Sequence, residues 1–146
     1  MEPAQTNIQS KYAWWQWFGR AWALPYTIIG LLVGLVGRNT FQVHGRTIEI
    51  LLEKGPVLWG CNRMGISAFT LGDCVLYAVP PCPNLRIHEQ RHVRQYWVLG
   101  PFFLPAYYIL LALWGYWDHP FEKDARNSEM RHCGSLYTGS ISKPRA

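Results

Sequence analysis

His88-Glu89-Gln90-Arg91-His92, continued by Val93-Arg94-Gln95-Tyr96, is the stretch on which the fold of this 146-residue chain turns. Histidines four residues apart share one helix face, so both imidazoles can reach one metal ion. The glutamate between them is placed to take a proton from a water on that ion. The surroundings read as helix. Pro81 and Pro83 punctuate the approach, Asn84 is the predicted N-cap, and no Pro or Gly follows until Gly100-Pro101. Leu85, Val93, Tyr96 and Trp97 fall with the two histidines on a 3.6-residue period. The competing reading, an exposed Glu89 paired with an arginine, loses to the flanking histidines.

Two imidazoles do not complete a tetrahedral catalytic site, which takes three protein ligands and leaves one position for water. After a long uncharged stretch comes Asp118-His119-Pro120-Phe121-Glu122-Lys123-Asp124-Ala125-Arg126. Pro120 suits the start of a new helix, with Glu122 in its first turn. Glu122 is therefore the preferred third ligand, and Asp118, His119 and Asp124 remain alternatives that spacing does not separate.

These motifs resemble the gluzincin branch of the zincin metallopeptidases, in which H-E-x-x-H is completed by a glutamate on a later helix, often within E-x-x-A-D. Glu122 to Ala125 match E-x-x-A, and Arg126 stands where that family carries an aspartate that orients a zinc-binding histidine. The orienting role is thereby open, with Asp118 and Asp124 as candidates. The chain is also similar to a set of small bacterial proteins carrying a T-L-G hairpin, H-E-x-x-H-V-x-Q-Y, G-P-x-F-x-P-A-Y and N-P-F-E-x-E-A-R. Thr70 to Gly72, His88 to Tyr96, Gly100 to Tyr107 and His119 to Arg126 follow that layout, about a fifth of the chain. The resemblance implies a zincin-like domain over residues 1–146, Zn²⁺ held by His88, His92 and Glu122, and Glu89 as general base and acid on a peptide or protein substrate. It also implies a bacterial inner membrane, with the topology open. An electrophilic helper is expected among Tyr96, Tyr107, Tyr108, Arg94 and His119.

Composition points to lipid. The chain has 8 Trp and 8 Tyr, and its charged fraction of 16% is below the usual quarter. Trp14, Trp15, Trp17 and Phe18 precede, and Trp22 opens, an uncharged run of 17 residues, Ala21 to Gly37, flanked by Arg20 and Arg38. That length is near the lower limit for crossing a bilayer, and a membrane-associated helix is expected over 21–37. The late start of the run and the lack of a small-x-small cleavage site argue against a secretory signal peptide.

The second uncharged run, Gln95 to Trp117, is longer, at 23 residues. A single crossing would put Glu122 on the opposite side from His88 and His92. The expected path is instead a corner at Gly100 to Pro105 and a returning helix over Ala106 to Trp117, about 18 Å long. Between the two runs, Phe41 to Ile50 and Ala68 to Tyr77 each alternate around a glycine and read as hairpins.

The fold class expected is thus α+β: a small antiparallel sheet packed with the metal helix and a returning helix, an N-terminal apolar membrane-associated helix, and a polar tail over 127–146. The sheet edge beside the metal helix is a candidate rest for a peptide, by resemblance. Cys61, Cys74, Cys82 and Cys133 show no C-x-x-C spacing and read as free thiols, and His44 and His132 read as isolated. The net charge of +5, carried partly by Arg86, Arg91, Arg94, Arg126 and Arg131, fits anionic membrane lipid as partner. No nucleic-acid partner is expected, since no binding motif appears. A noncatalytic membrane or scaffold protein with a structural or vestigial metal site is the reading that competes with the enzyme.

Overall fold

The computed structural model describes residues 13–133, with side chains over 15–130. Trp14, Arg131, His132 and Cys133 as side chains, and the tail beyond 133, lie outside those limits. The order of elements is α1 (Ala13–Gly34), β1 (Arg38–His44), β2 (Thr47–Lys54), α2 (Pro56–Met64), β3 (Ala68–Leu71), β4 (Cys74–Tyr77), α3 (Pro83–Leu99), a 3-10 turn (Gly100–Phe102), α4 (Phe103–Asp118) and α5 (Pro120–Cys133). The class is α+β.

Both expected hairpins form, but the sheet is mixed, not antiparallel throughout. Its order is β1-β2-β4-β3, and β2 runs parallel to β4, with Ile48 opposite Cys74 and Leu51 opposite Tyr77. The correction has a local cause. The short α2 carries the chain past the β2 edge and sets β3 outermost, so that β4 closes onto β2 and Ile48 donates its N–H to the Asp73 carbonyl. Pleat alternation then divides the core. Ile50, Leu52, Cys74 and Leu76 pack on one face with Leu31 and Val33 of α1 and Leu58 and Cys61 of α2. Val75 and Tyr77 face the other way, onto Leu85, Val93 and Trp97 of α3.

α1 is an inverted amphipath. It buries its small residues: Gly19 meets Trp97, Gly30 meets Cys74 and Leu71, and Gly34 meets Ile50, with Ala23 and Thr27 buried between them. Its outward side is Trp17, Phe18, Trp22, Leu24, Ile28, Ile29 and Leu32, all exposed. In water the larger apolar side chains would face the core, because they gain most from leaving solvent. The helix begins at Ala13, eight residues before the expected start, with Pro25 inside it.

The β3–β4 turn is the clasp between α1 and α3. Buried Asp73 accepts from Arg20 of α1 at 2.7 Å and from the Trp97 indole of α3 at 2.6 Å, while its own N–H donates to Thr27 Oγ1 at 2.9 Å. Gly72 makes the approach possible at φ 61°, where an added Cβ would lie 2.3 Å from Thr27 Oγ1 and 2.6 Å from the Thr27 nitrogen. Gly72→Ala combines left-handed strain with overpacking, and is expected to destabilise the fold by about 3 kcal/mol, read as a lowered unfolding midpoint.

α3 starts at Pro83, with Cys82 as its N-cap; Asn84, the expected cap, lies already within the first turn. Proline at the first helical position has its φ preset and no N–H to leave unbonded. Arg86 forks onto buried Glu49 of β2 at 2.8 and 2.9 Å, which pins that end of the helix to the sheet. At the other end, Gly100 (φ 53°, ψ −128°) stops the helix, and the 3-10 turn leads directly into α4 at Phe103. The corner is therefore shorter than expected. Pro105 does not break α4 but sits in its first turn; the break falls at Gly115 (φ 69°, ψ 176°), after which His119 meets the Tyr107 carbonyl at 2.9 Å, so the return is made by α5 and not by an unbroken helix over Ala106 to Trp117. By length and composition the helical run Pro83–Asp118 is sufficient to cross a membrane, and most of its apolar part is open. α5 continues to Cys133, so residues 127–133, expected as tail, are helical.

Candidate metal centre

α5 packs against α3 in the opposite direction, and this pairing builds the centre. Phe121 and Asp124 meet Gln95, and Asp124 meets Arg91, while Glu129 reaches back to His88. Glu122 is thereby delivered between the two histidines. His88 Nε2 lies 3.2 Å from His92 Nε2 and 3.3 Å from Glu122 Oε2, and His92 Nε2 lies 3.3 Å from Glu122 Oε1. Bonds of about 2.0 to 2.1 Å set at a tetrahedral angle place neighbouring donors about 3.3 Å apart. The observed separations have that size, with one imidazole set against each carboxylate oxygen, and His88, His92 and Glu122 form a group able to hold a metal ion.

The outward atoms of each ligand are occupied in a way that frees the inward ones. His88 Nδ1 lies 2.5 Å from Glu129 Oε1, and His92 Nδ1 lies 2.8 Å from Gln95 Oε1. Both acceptors require Nδ1 to carry the proton, which leaves the Nε2 lone pairs pointing at each other and at Glu122. Gln95 is itself fixed, donating to the Phe121 carbonyl at 3.2 Å and to Asp124 Oδ2 at 2.9 Å. Glu122 Oε1 accepts the Tyr107 hydroxyl at 2.7 Å, whereas buried Oε2 has no hydrogen-bond partner. A buried carboxylate oxygen is costly when unpaired, and a cation between the three ligands would satisfy it. Burial pushes the Glu122 carboxyl up, yet the His88 and His92 imidazoles, when protonated at Nε2, and the Tyr107 hydroxyl outweigh it and hold the group well below the usual carboxylate range, so it stands as an anion; a metal ion would take the place of those protons.

Loss of the Glu129 acceptor should weaken the grip without removing a ligand. Glu129→Ala is expected to lower metal affinity about 10- to 100-fold, measured by competition with a chromogenic chelator.

Glu89 faces the sheet side of α3. It is buried, accepts from Thr70 Oγ1 at 2.7 Å, and pairs with no arginine among the described residues. Thr70 belongs to β3, the outermost strand, so the candidate base sits where the sheet edge meets the metal helix.

The alternatives for third ligand are placed elsewhere. Asp118 pairs with Lys123 at the surface, and Asp124 takes the fork of Arg91 at 2.6 and 3.0 Å. Buried His119 caps α5: its Nδ1 accepts the Phe121 N–H at 3.1 Å, and its Nε2 meets the Tyr107 carbonyl at 2.9 Å. Of the possible helpers, Tyr107 alone touches a ligand. Tyr96 is buried in the core beside Phe103, and Arg94 and Tyr108 are exposed. Arg126, in the place of the gluzincin aspartate, donates to the Trp117 carbonyl and sets Nη1 4.0 Å from Glu122 Oε2.

The orienting groups missed in the sequence are Gln95 and Glu129, while Tyr107, expected as a possible electrophilic helper, is instead bonded to the Glu122 carboxylate. Spacing held a trace of two: Gln95 is three residues past His92, and Glu129 is two turns past Glu122, each on the ligand's own helix face. Most basic residues assigned to lipid are turned inward, with Arg86 on Glu49, Arg91 on Asp124 and Arg126 beside Glu122. Cys61, Cys74 and Cys82 are free thiols, and His44 is exposed. No family model matches the chain, and no curated protein or solved structure does either.

Proposed function

We propose that the chain is a membrane-associated, zinc-dependent metallopeptidase that hydrolyses peptide bonds. The observation that carries this reading is the cluster of His88, His92 and Glu122, in which the two Nε2 atoms lie 3.2 Å apart and each lies 3.3 Å from one oxygen of the carboxylate. Two imidazoles and one carboxylate suit zinc. A purely structural zinc site takes four protein ligands, whereas three are grouped among the described residues, which favours a catalytic centre over a scaffold.

Bound there, zinc supplies Lewis acidity and an acidified water at neutral pH. The chain's own groups do the remainder. His88, His92 and Glu122 hold the ion, Glu129 and Gln95 fix the imidazoles, and Tyr107 orients the Glu122 carboxylate. Glu89 accepts the proton of the attacking water and returns it to the leaving amine. The free edge of β3 offers an extended peptide a backbone ladder beside Glu89. The outward Trp, Leu and Ile side of α1 supports lipid as the surrounding medium, since small-residue faces pack inward where solvent is hydrocarbon.

Metal analysis of the purified full chain tests the reading. About one equivalent of zinc per chain is expected, absent from His92→Ala. A chain without zinc, or a His92→Ala variant that keeps it, would remove the enzyme from consideration.

A further inference from the structure

The geometry points to a second binding site, for the phosphate-bearing headgroup of an anionic phospholipid, in the cleft between α1, the β1–β2 turn and the outer side of α3. The cleft has a volume of about 1050 Å³ and contains none of the three metal ligands. Its walls are Trp15 and Gln16 of α1, Arg46 of the turn, and Arg91, Arg94 and Val98 of α3. Charge in it is one-sided. Three guanidinium groups line it against one acid, Asp124; Arg91 is engaged by that acid, which leaves Arg46 and Arg94 to meet an anion. Arg46 reaches across to the Gln16 side chain, and Arg94 is exposed. Guanidinium groups are suited to phosphate oxygens, through paired donors in a fixed fork.

Position selects the source of that phosphate. The outward apolar stripe of α1 begins at Trp17 and Phe18 and continues through Leu32, and the cleft opens beside Trp15 and Gln16, at the start of the same stripe. Tryptophan with arginine at the end of a lipid-facing helix is the composition of the headgroup layer. Val98 and Leu99 give the cleft an apolar rim on which the first acyl carbons can lie. The inference rests on the membrane reading of α1 given above.

The test is flotation of the full chain with vesicles of phosphatidylcholine alone and of phosphatidylcholine with phosphatidylglycerol, for the native sequence and for Arg46→Gln combined with Arg94→Gln. Both arginines are exposed and neither is among the groups that hold or fix the metal ligands, so unchanged zinc content serves as the folding control. The native chain should bind both vesicle types and prefer the anionic ones. The double variant should keep its binding to neutral vesicles while that preference falls, about fivefold for each arginine removed. Equal native binding to the two, or a preference that survives in the double variant, would overturn the headgroup site and leave the membrane reading intact. Failure to bind either type would remove both. Displacement of the preference by soluble glycerol phosphate would assign the cleft to a small phosphate ester instead, and displacement by polyglutamate to an acidic peptide.

Discussion

Glu89→Gln should retain one zinc per chain and lose peptide hydrolysis by about 10²- to 10⁴-fold, the usual contribution of a positioned general base. The substitution is close to isosteric, and the amide oxygen can still accept the Thr70 hydroxyl that the carboxylate accepts at 2.7 Å. The contact between α3 and the sheet edge therefore survives, and so does the metal, because Glu89 is not among its three candidate donors. What disappears is the basic oxygen. Glu122→Gln is the contrast: the amide cannot replace an anion that draws on both histidines and Tyr107, so metal and activity should vanish together. Metal content and turnover measured on the same preparations separate the two roles. Undiminished hydrolysis in Glu89→Gln would show that the proton is moved by some other group.

The parts of this structure that were legible in the sequence are those set by short-range rules. Helical spacing placed His88 and His92 on one face, and Pro120 marked the helix that carries Glu122. The Gly72 hairpin was readable because a left-handed glycine separates two apolar runs. What could not be read depends on partners distant along the chain. Nothing local to Ile48 says that it lies opposite Cys74, so the parallel seam of the sheet was out of reach. The same holds for Glu129, whose meaning comes from α5 running opposite to α3. Pro105 misled for another reason. Its ring disrupts a helix interior but is tolerated in a first turn, and the turn begins only where Gly100 ends α3.

Leu24→Asn, Ile28→Asn and Leu32→Asn made together should release the chain from membranes while leaving its zinc in place. The three positions repeat at four-residue intervals along the outward side of α1 and are 51, 49 and 58% exposed. Fully burying such a side chain is worth about 1.5 to 3 kcal/mol, and with roughly half of each surface facing outward the three together contribute about 3 kcal/mol. The asparagine amides add a further penalty in hydrocarbon, so partition into membrane should fall by at least about a hundredfold. The fold should be indifferent, because α1 docks through its other side. A change on that side has the opposite signature. At Gly30 a Cβ would lie 2.7 Å from Cys74 Cβ and 3.2 Å from the Leu71 carbonyl oxygen, so Gly30→Leu forces α1 off the sheet. That variant should stay with the membrane and lose stability, and with it the clasp from Thr27 through Asp73 to Trp97 that holds α3 in place. Fractionation followed by zinc analysis reads both variants. If the triple variant instead loses zinc and remains in the membrane fraction, the outward side of α1 packs on protein, and lipid is not its solvent.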